Sequence, residues 1–481
     1  MANESLNNST SQVQIKFLTK QEQYAVPDFP LSVHTSIVTS ELNTLINELL
    51  KESTDIKNDI EFDFLVCSQF LRTSLSEHIA EKNISTEEVI IVEYVEKYPP
   101  PEPQDCLLHD DWVSAVDVYE KWILTGCYDN TLHIWTSKGK HHLVIPGHTS
   151  PVKAVAWISL TSDTASFVSA SQDQTAIIWD WNIMENSVDC IHVCRGHERG
   201  LEAVSINYDK TIMATGAWDT MLKIWSTANQ DENEDGESSS KRLKSEHGKT
   251  RVPKRTMKGH KEAISGIVWS DKTEIITSSW DHTMKIWDSE LGGIKHELAG
   301  NKSFFDLDYS PLTRTVITAS ADRHIRLYDP RSTEGTLVKA IFTSHTQWVQ
   351  SVRWSPVDET LFISGAYDNE MKLWDTRSPK APLFDLSGHE DKVLCCNWSN
   401  PKFMVSGGAD NTTPYEPYRC FRSVNPVSGN YTHTKSIRIH NQKTNVVIFN
   451  WLQRKNNYIL LTRRSKFGSS FAFTYRRKNI L

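Results

Sequence analysis

Imidazole, hydroxyl and carboxylate side chains recur together along this chain at a fixed spacing. Seven aspartates each follow a Ser or Thr by four residues, and six of the seven precede a Trp or Tyr by six residues. The sets are Thr125, Asp129 and Trp135; Ser169, Asp173 and Trp179; Thr215, Asp219 and Trp225; Thr277, Asp281 and Trp287; Thr318, Asp322 and Tyr328; Ser364, Asp368 and Trp374; and Ser406 with Asp410. Most of these aspartates follow a histidine by 20 to 25 residues, and the histidines are His109, His148, His197, His260, His345 and His389.

Serine, histidine and aspartate are the residues of a nucleophilic triad, which raises the question of a hydrolase. A triad is needed once, so six copies of one arrangement indicate a structural role in which hydroxyl and imidazole bond each other inside the fold. The sequence also lacks a GxxxxGK[ST] loop and a dinucleotide-type glycine loop. We therefore predict a non-enzyme that needs no cofactor and has no small-molecule substrate.

The cysteines favour neither a disulfide framework nor a metal site. Eight of them are scattered without CxxC pairs, which is typical of a reducing compartment. The densest group is Cys190, His192, Cys194 and His197, and His197 already belongs to the repeat. We expect strand residues here and no metal.

The elements that position the repeated residues are predicted to be β-strands. In TMKIWD, residues 283–288, the side chains alternate with period two, and three of the aromatic spacings are 44, 46 and 46 residues, the length of one four-stranded blade. The pattern resembles WD-repeat propellers. The resemblance implies that the His, Ser/Thr, Asp and Trp of a repeat form a hydrogen-bonded chain across three strands.

On this basis residues 98–411 are predicted to form a seven-bladed WD-repeat β-propeller in a mainly β chain. The fifth blade lacks its histidine, because Gly300 is followed by Asn301. The resemblance also implies that the strand near 102–108 completes the last blade and closes the ring, which removes free sheet edges.

Residues 13–97 carry no repeat and are predicted to form a small ubiquitin-like α+β domain. VQIKFLT and YAVPDFPLSV are predicted to form a strand pair, followed by a helix that begins with Ser40 as its cap. FDFLVCSQFLR and VIIVEYVE are predicted strands that flank a short helix, with Ser74 and Glu77 spaced as a capping box. Prolines at 99, 100, 101 and 103 end the domain.

A charged insertion at 227–257 lengthens the connection between the third and fourth repeats. Its basic residues suit a nuclear import signal, and a solvated charged loop is the alternative. They are Lys241, Arg242, Lys244, Lys254 and Arg255.

Residues 412–481 form a basic atypical tail with 13 Lys and Arg against one acidic residue, Glu416. Glu416 stands where the seventh repeat needs its aromatic, and Pro414 and Pro417 interrupt the expected third strand of that blade. Normal closure of blade seven is therefore in question. An alternative or misassembled terminal exon and an RNA-binding segment are the two interpretations of the tail.

Aromatic residues precede several of the repeat aspartates, at turns on one face of the predicted disc. Exposed aromatics are typical interface anchors, although rings at these positions can also fill gaps between blades. The candidates for partner binding are Tyr128, Trp218, Trp280 and Tyr367, with Trp112 and Trp348 on the same face.

The front domain joined to a propeller resembles the Notchless-like architecture. FDFLVCSQFLRTSLSEHI, ISTEEVIIVEY and HDDWVSAVDV resemble the WD-repeat subunit of the Pescadillo and block-of-proliferation complex. That resemblance implies a scaffold for rRNA processing and large-subunit (60S) maturation on pre-ribosomal particles, in the nucleolus and nucleoplasm. It also implies that the propeller docks on the block-of-proliferation partner.

The same resemblance implies a role for one acidic side chain of the front domain. In the family, a carboxylate in the loop before the last strand completes the metal site of midasin, an AAA+ ATPase that releases the protein. The matching residue is Glu87, with Glu88 as its neighbouring alternative.

The competing function is a substrate receptor of a ubiquitin ligase, for which the sequence shows no cullin-adaptor docking motif. No apolar run is long enough to span a membrane.

Overall fold

The chain is mainly β, with a small α+β domain followed by seven radial sheets, which confirms the predicted fold class. A computed structural model describes residues 12–53, 58–67, 69–228, 249–331, 338–410, 435–438 and 446–451, with the backbone alone at 435–438. Within these residues no helix has the length and apolarity to cross a bilayer.

The front domain packs two helices on one five-stranded sheet. Its strands, in sheet order, are Leu31–His34, Gln12–Leu18, Ile90–Glu96, Phe62–Val66 and Gln69–Phe70. The first and last strands in the chain, Gln12–Leu18 and Ile90–Glu96, pair in parallel, and the other neighbours are antiparallel. The helices are Thr39–Ser53 and Leu75–Lys82, with a 3-10 turn at Glu22–Tyr24.

The two helices show why these segments fold as they do. Leu42, Ile46 and Leu50 lie four residues apart on one face of the first helix and are buried in the core of the domain. That helix begins at Thr39, so Ser40 lies inside it and the prediction that Ser40 caps the helix is wrong. The cap of the second helix is confirmed, because the Ser74 hydroxyl accepts from the Glu77 backbone N–H at 3.4 Å.

The propeller has seven blades whose strands run outward from a central channel. From inner to outer edge, blade one is Val113–Tyr119, Trp122–Cys127, Thr131–Thr136 and His141–Pro146. Blade two is Val152–Leu160, Thr164–Ser171, Thr175–Asn182 and Ser187–Arg195. Blade three is Leu201–Ile206, Ile212–Ala217, Met221–Ser226 and Arg255–Lys258. Blade four is Ile264–Trp269, Glu274–Ser279, Thr283–Asp288 and Ile294–Ala299.

The remaining blades complete the ring. Blade five is Phe304–Ser310, Thr315–Ser320, His324–Tyr328 and Val338–Thr343. Blade six is Val349–Trp354, Leu361–Ala366, Glu370–Asp375 and Phe384–Ser387. Blade seven is Val393–Asn397, Phe403–Gly408, Val446–Asn450 and Glu102–Leu107.

Blade seven is completed from both ends of the propeller sequence. Glu102–Leu107 is its outer strand, which confirms the predicted closing strand. Its third strand, Val446–Asn450, comes from the segment that the sequence assigned to a tail outside the ring. Phe449 lies opposite Met404, the register at which Trp135 lies opposite Ile123 in blade one, and it is fully buried. The propeller therefore extends beyond residue 411, and an apolar segment far along the chain fills the strand that Pro414 and Pro417 interrupt.

Two short segments add fifth strands in parallel orientation. Lys249–Arg251 pairs with the outer strand of blade two, and Lys435–Arg438 pairs with that of blade six. The buried Arg251 guanidinium donates to the carbonyls of Ser226 and Ala228 at 2.5 and 2.6 Å. The C-terminal end of the charged insertion is thus fixed against blades two and three.

The front domain contacts the ring at blade six. The guanidinium groups of Arg72 and Arg377 lie 4.8 and 5.3 Å from the centre of the Phe70 ring, and Lys380 pairs with Glu81. Arg377 follows the strand Glu370–Asp375, whereas the turn that carries Tyr367 precedes it. Because this strand crosses the thickness of the disc, the front domain lies on the face opposite the turns that carry the repeat aspartates.

Candidate functional site

The repeated polar residues form buried relays. In blade two His148 Nδ1 lies 2.8 Å from Asp173 Oδ2 and its Nε2 lies 2.7 Å from Ser169 Oγ, to which Trp179 Nε1 donates at 2.9 Å. Blades three, four and six repeat this geometry within 0.1 Å at each contact. The relay predicted by the resemblance is therefore confirmed in these blades.

The relay leaves the hydroxyl unable to act as a nucleophile. Because the Trp N–H donates to the hydroxyl oxygen, the hydroxyl proton points to the imidazole, and the second ring nitrogen donates to the carboxylate. The hydroxyl residues Ser169, Thr215, Thr277 and Ser364 are fully buried. They cannot reach a substrate, and their bonds fix strand register instead.

Burial and hydrogen bonding shift the pKa values of two relay residues, Asp173 and His345, in the same direction. Burial alone would raise the pKa of Asp173, but hydrogen bonds from His148 and Thr175 outweigh it, and its pKa falls to about 2. In blade six, burial lowers the pKa of His345 despite its bond to Asp368. At neutral pH Asp173 is therefore charged and His345 is neutral.

Blade one departs from this geometry because a second imidazole enters the relay. His109 Nε2 bonds Thr125 Oγ1 at 2.8 Å and accepts directly from Trp135 Nε1 at 3.1 Å, while Asp129 accepts from Thr131. His109, Cys127 and His133 are buried and present ligand atoms within 4.8 Å of one another. Both ring nitrogens of His133 already bond Thr131 and His141, at 2.9 and 3.1 Å. His133 therefore uses both ring nitrogens in hydrogen bonds within the blade.

In blade five an arginine bonds the repeat aspartate in place of the missing histidine. Arg326 pairs with Asp322 through both terminal nitrogens, at 3.2 and 2.6 Å. Blade seven keeps its histidine, since His389 Nδ1 lies 2.5 Å from Asp410 Oδ2 and Nε2 lies 2.8 Å from Ser406 Oγ.

Five aromatic rings form a continuous arc on the face that carries the aspartate turns. We call Trp218, Trp280, Phe305, Trp348 and Tyr367 the aromatic arc. Ring centroids of successive members lie 4.8, 6.3, 5.8 and 5.9 Å apart. Trp348 and Trp218 are 51% and 38% exposed, and the other three are partly buried. The arc therefore offers apolar surface across blades three to six.

The other two predicted aromatics lie in blade one and join the arc through an ion pair. Trp112 packs on Tyr128 with centroids 5.3 Å apart, and Lys153 Nζ donates to the Tyr128 hydroxyl at 3.1 Å. Lys153 also pairs with Glu202 at 3.1 Å, and Glu202 accepts from Trp218 Nε1 at 3.0 Å. The structure thus brings all six predicted aromatics to one face around the mouth of the channel.

Glu87 lies in the loop before the last strand of the front domain, Ile90–Glu96. Its side chain and that of Glu88 are exposed, and its backbone N–H donates to Ser85 Oγ at 3.3 Å. This position leaves the carboxylate open to a partner, and its proposed use as a metal ligand stays a prediction.

The structure describes two of the five basic residues of the charged insertion. Lys241, Arg242 and Lys244 lie outside the described residues. Lys254 is exposed, whereas Arg255 begins the outer strand of blade three and donates to the Glu290 carbonyl. Arg255 thus has a role in the fold.

Comparison with known proteins identifies both parts of the chain. The NLE (NUC135) domain family matches residues 13–79. The WD domain, G-beta repeat family matches seven segments, residues 103–136, 139–180, 188–226, 251–288, 292–329, 336–375 and 380–413. A ribosome biogenesis protein WDR12 homolog of Aedes aegypti is 57% identical over 413 residues, which cover 86% of this chain and 97% of the relative. The chain belongs to the WDR12 family.

Other members of the WDR12 family match over a similar extent. The ribosome biogenesis protein WDR12 homolog of Culex quinquefasciatus is 56% identical over 431 residues, 89% of this chain and 100% of the relative. That of Drosophila sechellia is 57% identical over 408 residues, 85% of this chain and 96% of the relative. The resemblance inferred from the sequence is therefore confirmed at the level of the family.

Sequence reasoning missed three residues of the face. Phe305, Lys153 and Glu202 each occupy the second position of an innermost strand, at the mouth of the channel. The predicted set came from residues beside the repeat aspartates and histidines, which lie on the turns. The signal that could have found them is their shared position, the second residue of an innermost strand.

Proposed function

We propose that this chain acts in ribosome biogenesis as a non-enzymatic assembly factor, in rRNA processing and maturation of the large subunit. Its relatives are named ribosome biogenesis proteins. The observation that carries the proposal is the separation of two surfaces, the aromatic arc on one face of the ring and the front domain on the other. A scaffold with two faces can hold one partner while a second engages its front domain.

The ring is the proposed docking body for the Pescadillo and block-of-proliferation proteins in the pre-60S particle. Aromatic rings that are partly exposed and held by packing lose little entropy on binding. Trp218 and Trp348 meet that description, because each packs on a neighbouring ring and remains exposed.

The front domain is the proposed handle for midasin. Glu87 is exposed in a loop, where its carboxylate can complete the octahedral shell of a Mg²⁺ held by the partner. A pull on this domain would then be transmitted to the ring through the proline segment and remove the chain from the particle.

Glu87→Gln tests this handle, with Glu88→Gln as the matched control. Both changes keep side-chain size and remove one charge from the same exposed loop. Binding of full-length variants to the metal-containing domain of midasin is measured with Mg²⁺ and with EDTA. We expect Glu87→Gln to weaken binding at least about tenfold. Glu88→Gln and the parent should bind equally well in Mg²⁺, and neither should bind in EDTA.

Equal binding by Glu87→Gln and the parent would refute the handle, and loss only in Glu88→Gln would transfer the role to that residue. The scaffold role has a separate readout, co-sedimentation of the tagged chain with pre-60S particles. Co-purification with a cullin adaptor instead of these particles would favour the ubiquitin-ligase receptor.

Nuclear residence, with nucleolar and nucleoplasmic pools, follows from the proposed role. Import through the charged insertion is tested by replacing Lys241, Arg242 and Lys244 together with Gln. A cytoplasmic shift of the fluorescently tagged variant is expected, and unchanged nuclear signal would reject the insertion as the import signal.

A further inference from the structure

One end of the aromatic arc opens into a groove between blades five and six. The groove has a volume of about 740 Å³, and Trp348 and Tyr367 line its apolar side. Trp348 is half exposed, more than Trp218 in the same arc, and its ring centroid lies 5.8 and 5.9 Å from those of Phe305 and Tyr367. A ring held on both sides yet open to solvent is a preformed anchor point.

The polar side of the groove is basic. Lys302, Arg323 and Lys392 line it and are exposed, and Lys392 Nζ lies 5.2 Å from the centre of the Tyr367 ring. The lining carboxylate, Asp322, is paired with Arg326 at 2.6 Å. The nearby Asp391 turns its carboxylate back to the Lys392 backbone N–H at 2.7 Å. Three cations around an apolar floor therefore favour a ligand with carboxylates and an apolar side chain.

The arrangement of the rings favours a polypeptide over a nucleic acid. Bases stack on separate, open aromatic faces. Members of the aromatic arc instead pack on one another, with interplanar angles between 38° and 77°, which makes a continuous floor.

The described chain stops before the charged insertion on the other side of the disc. Residue 228, where the described chain stops before the insertion, follows the third strand of blade three, Met221–Ser226. Third strands end on the face that contacts the front domain, as Arg377 shows in blade six. The described chain thus reaches the insertion on the side of the disc away from the groove, and the three cations of the groove favour an acidic segment of a partner protein.

We propose that this groove binds an acidic linear segment of a protein partner, with an aromatic or large aliphatic side chain on Trp348 and carboxylates at Lys302, Arg323 and Lys392. The inference rests on the proposed role of the ring as a docking body and names the chemistry of the partner. It also assigns the two ends of the arc different roles, because the basic groove lies at Trp348 and not at Trp218.

The test uses the full chain and a fluorescein-labelled peptide of sequence DEDEWDEDE as probe. Fluorescence anisotropy measures its binding to the parent, to Trp348→Ala and to the double variant Lys302→Gln/Arg323→Gln. Trp218→Ala is the matched control, since it removes an exposed arc tryptophan away from the groove. We expect both groove changes to weaken binding at least about tenfold, and Trp218→Ala to change it less than about twofold.

Two further probes separate the alternatives. A peptide with each acid replaced by Lys and a single-stranded oligo(U) RNA are titrated under the same salt conditions, and thermal melting verifies that each variant is folded. Binding of the acidic peptide that is insensitive to both groove changes would overturn the proposal, as would preferential binding of the RNA or the basic peptide. Co-sedimentation with pre-60S particles is a separate measurement. If the chain bound the peptide in the groove but did not co-sediment with the particles, the scaffold role would be refuted and the groove proposal would stand.

Discussion

Asp173→Asn is expected to destabilise blade two because it reverses two hydrogen bonds at once. Asp173 Oδ2 accepts from His148 Nδ1 at 2.8 Å and from the Thr149 backbone N–H at 3.1 Å. Oδ1 accepts from the Thr175 backbone N–H and hydroxyl at 3.0 and 2.6 Å. Asparagine keeps one acceptor oxygen but presents an amide N–H₂ where the other stood, so donors face donors.

The size of the effect follows from the pKa of the carboxyl. Burial acts to raise that pKa, and the hydrogen bonds from His148 and Thr175 lower it to about 2 from an ordinary value of 3.8. A lowering of this size corresponds to roughly 2.5 kcal/mol of folding free energy at neutral pH. The side chain is only 10% exposed, so solvent screening removes little of this contribution.

The pH dependence has a defined sign. Since the pKa is lower in the folded than in the unfolded state, the stabilisation is full above the unfolded value and is lost as pH falls through the folded value. The difference between parent and Asp173→Asn should therefore be constant from pH 7 to pH 5 and fall to about half by pH 3.

Denaturant titrations followed by tryptophan fluorescence and circular dichroism, at each pH, measure this difference. The matched control is Asp129→Asn in blade one, where Asp129 accepts from Thr131 through Oδ1, an acceptor that asparagine retains. We expect the control to cost less than about 1 kcal/mol. If both variants lost the same free energy, or if the effect of Asp173→Asn did not shrink in acid, the reasoning about the relay would be wrong.

Two further predictions concern ring closure and the contact with the front domain. Phe449→Ala should destabilise the propeller by about 3–5 kcal/mol in denaturant titrations because it empties a fully buried site in blade seven. The control is Asn450→Ala, at the half-buried end of the same strand. An equal loss of stability in the two variants would contradict the strand assignment. Arg377→Met should cost about 3 kcal/mol because it leaves the fully buried Asp375 carboxylate without its two-bond partner. Lys380→Met should leave the stability nearly unchanged because the Lys380–Glu81 pair is exposed to solvent. Thermal melts in which Lys380→Met lowers the melting temperature more than Arg377→Met would refute this.

The relays could be predicted from sequence because they are encoded locally and repeatedly. His148, Ser169, Asp173 and Trp179 lie within one repeat, and the same spacing returns in the others. The different relay partners in blades one and five were harder to predict from the sequence. His133 and Arg326 occupy the same place after their aspartates, and only the packed structure shows which partner each side chain selects.

The third strand of blade seven could not be found by the repeat spacing. Val446–Asn450 begins 36 residues after Asp410, whereas each of the other third strands begins two residues after its aspartate. The apolar run VVIFN by itself indicates a buried strand, but its place depends on a long-range choice of partner. Likewise Phe305 joins the aromatic arc through packing across blades, for which a single repeat holds no signal.

The seam of the ring lies beside the segment that leads to the front domain. Tension on that domain would first detach Phe70 and Glu81 from blade six and then reach the strand Glu102–Leu107. That strand is a sheet edge joined to one neighbour, Val446–Asn450, so its ladder bonds would break one after another rather than together. A modest force could thus unfasten the ring where the chain enters it while the aromatic arc, on blades three to six, keeps its shape.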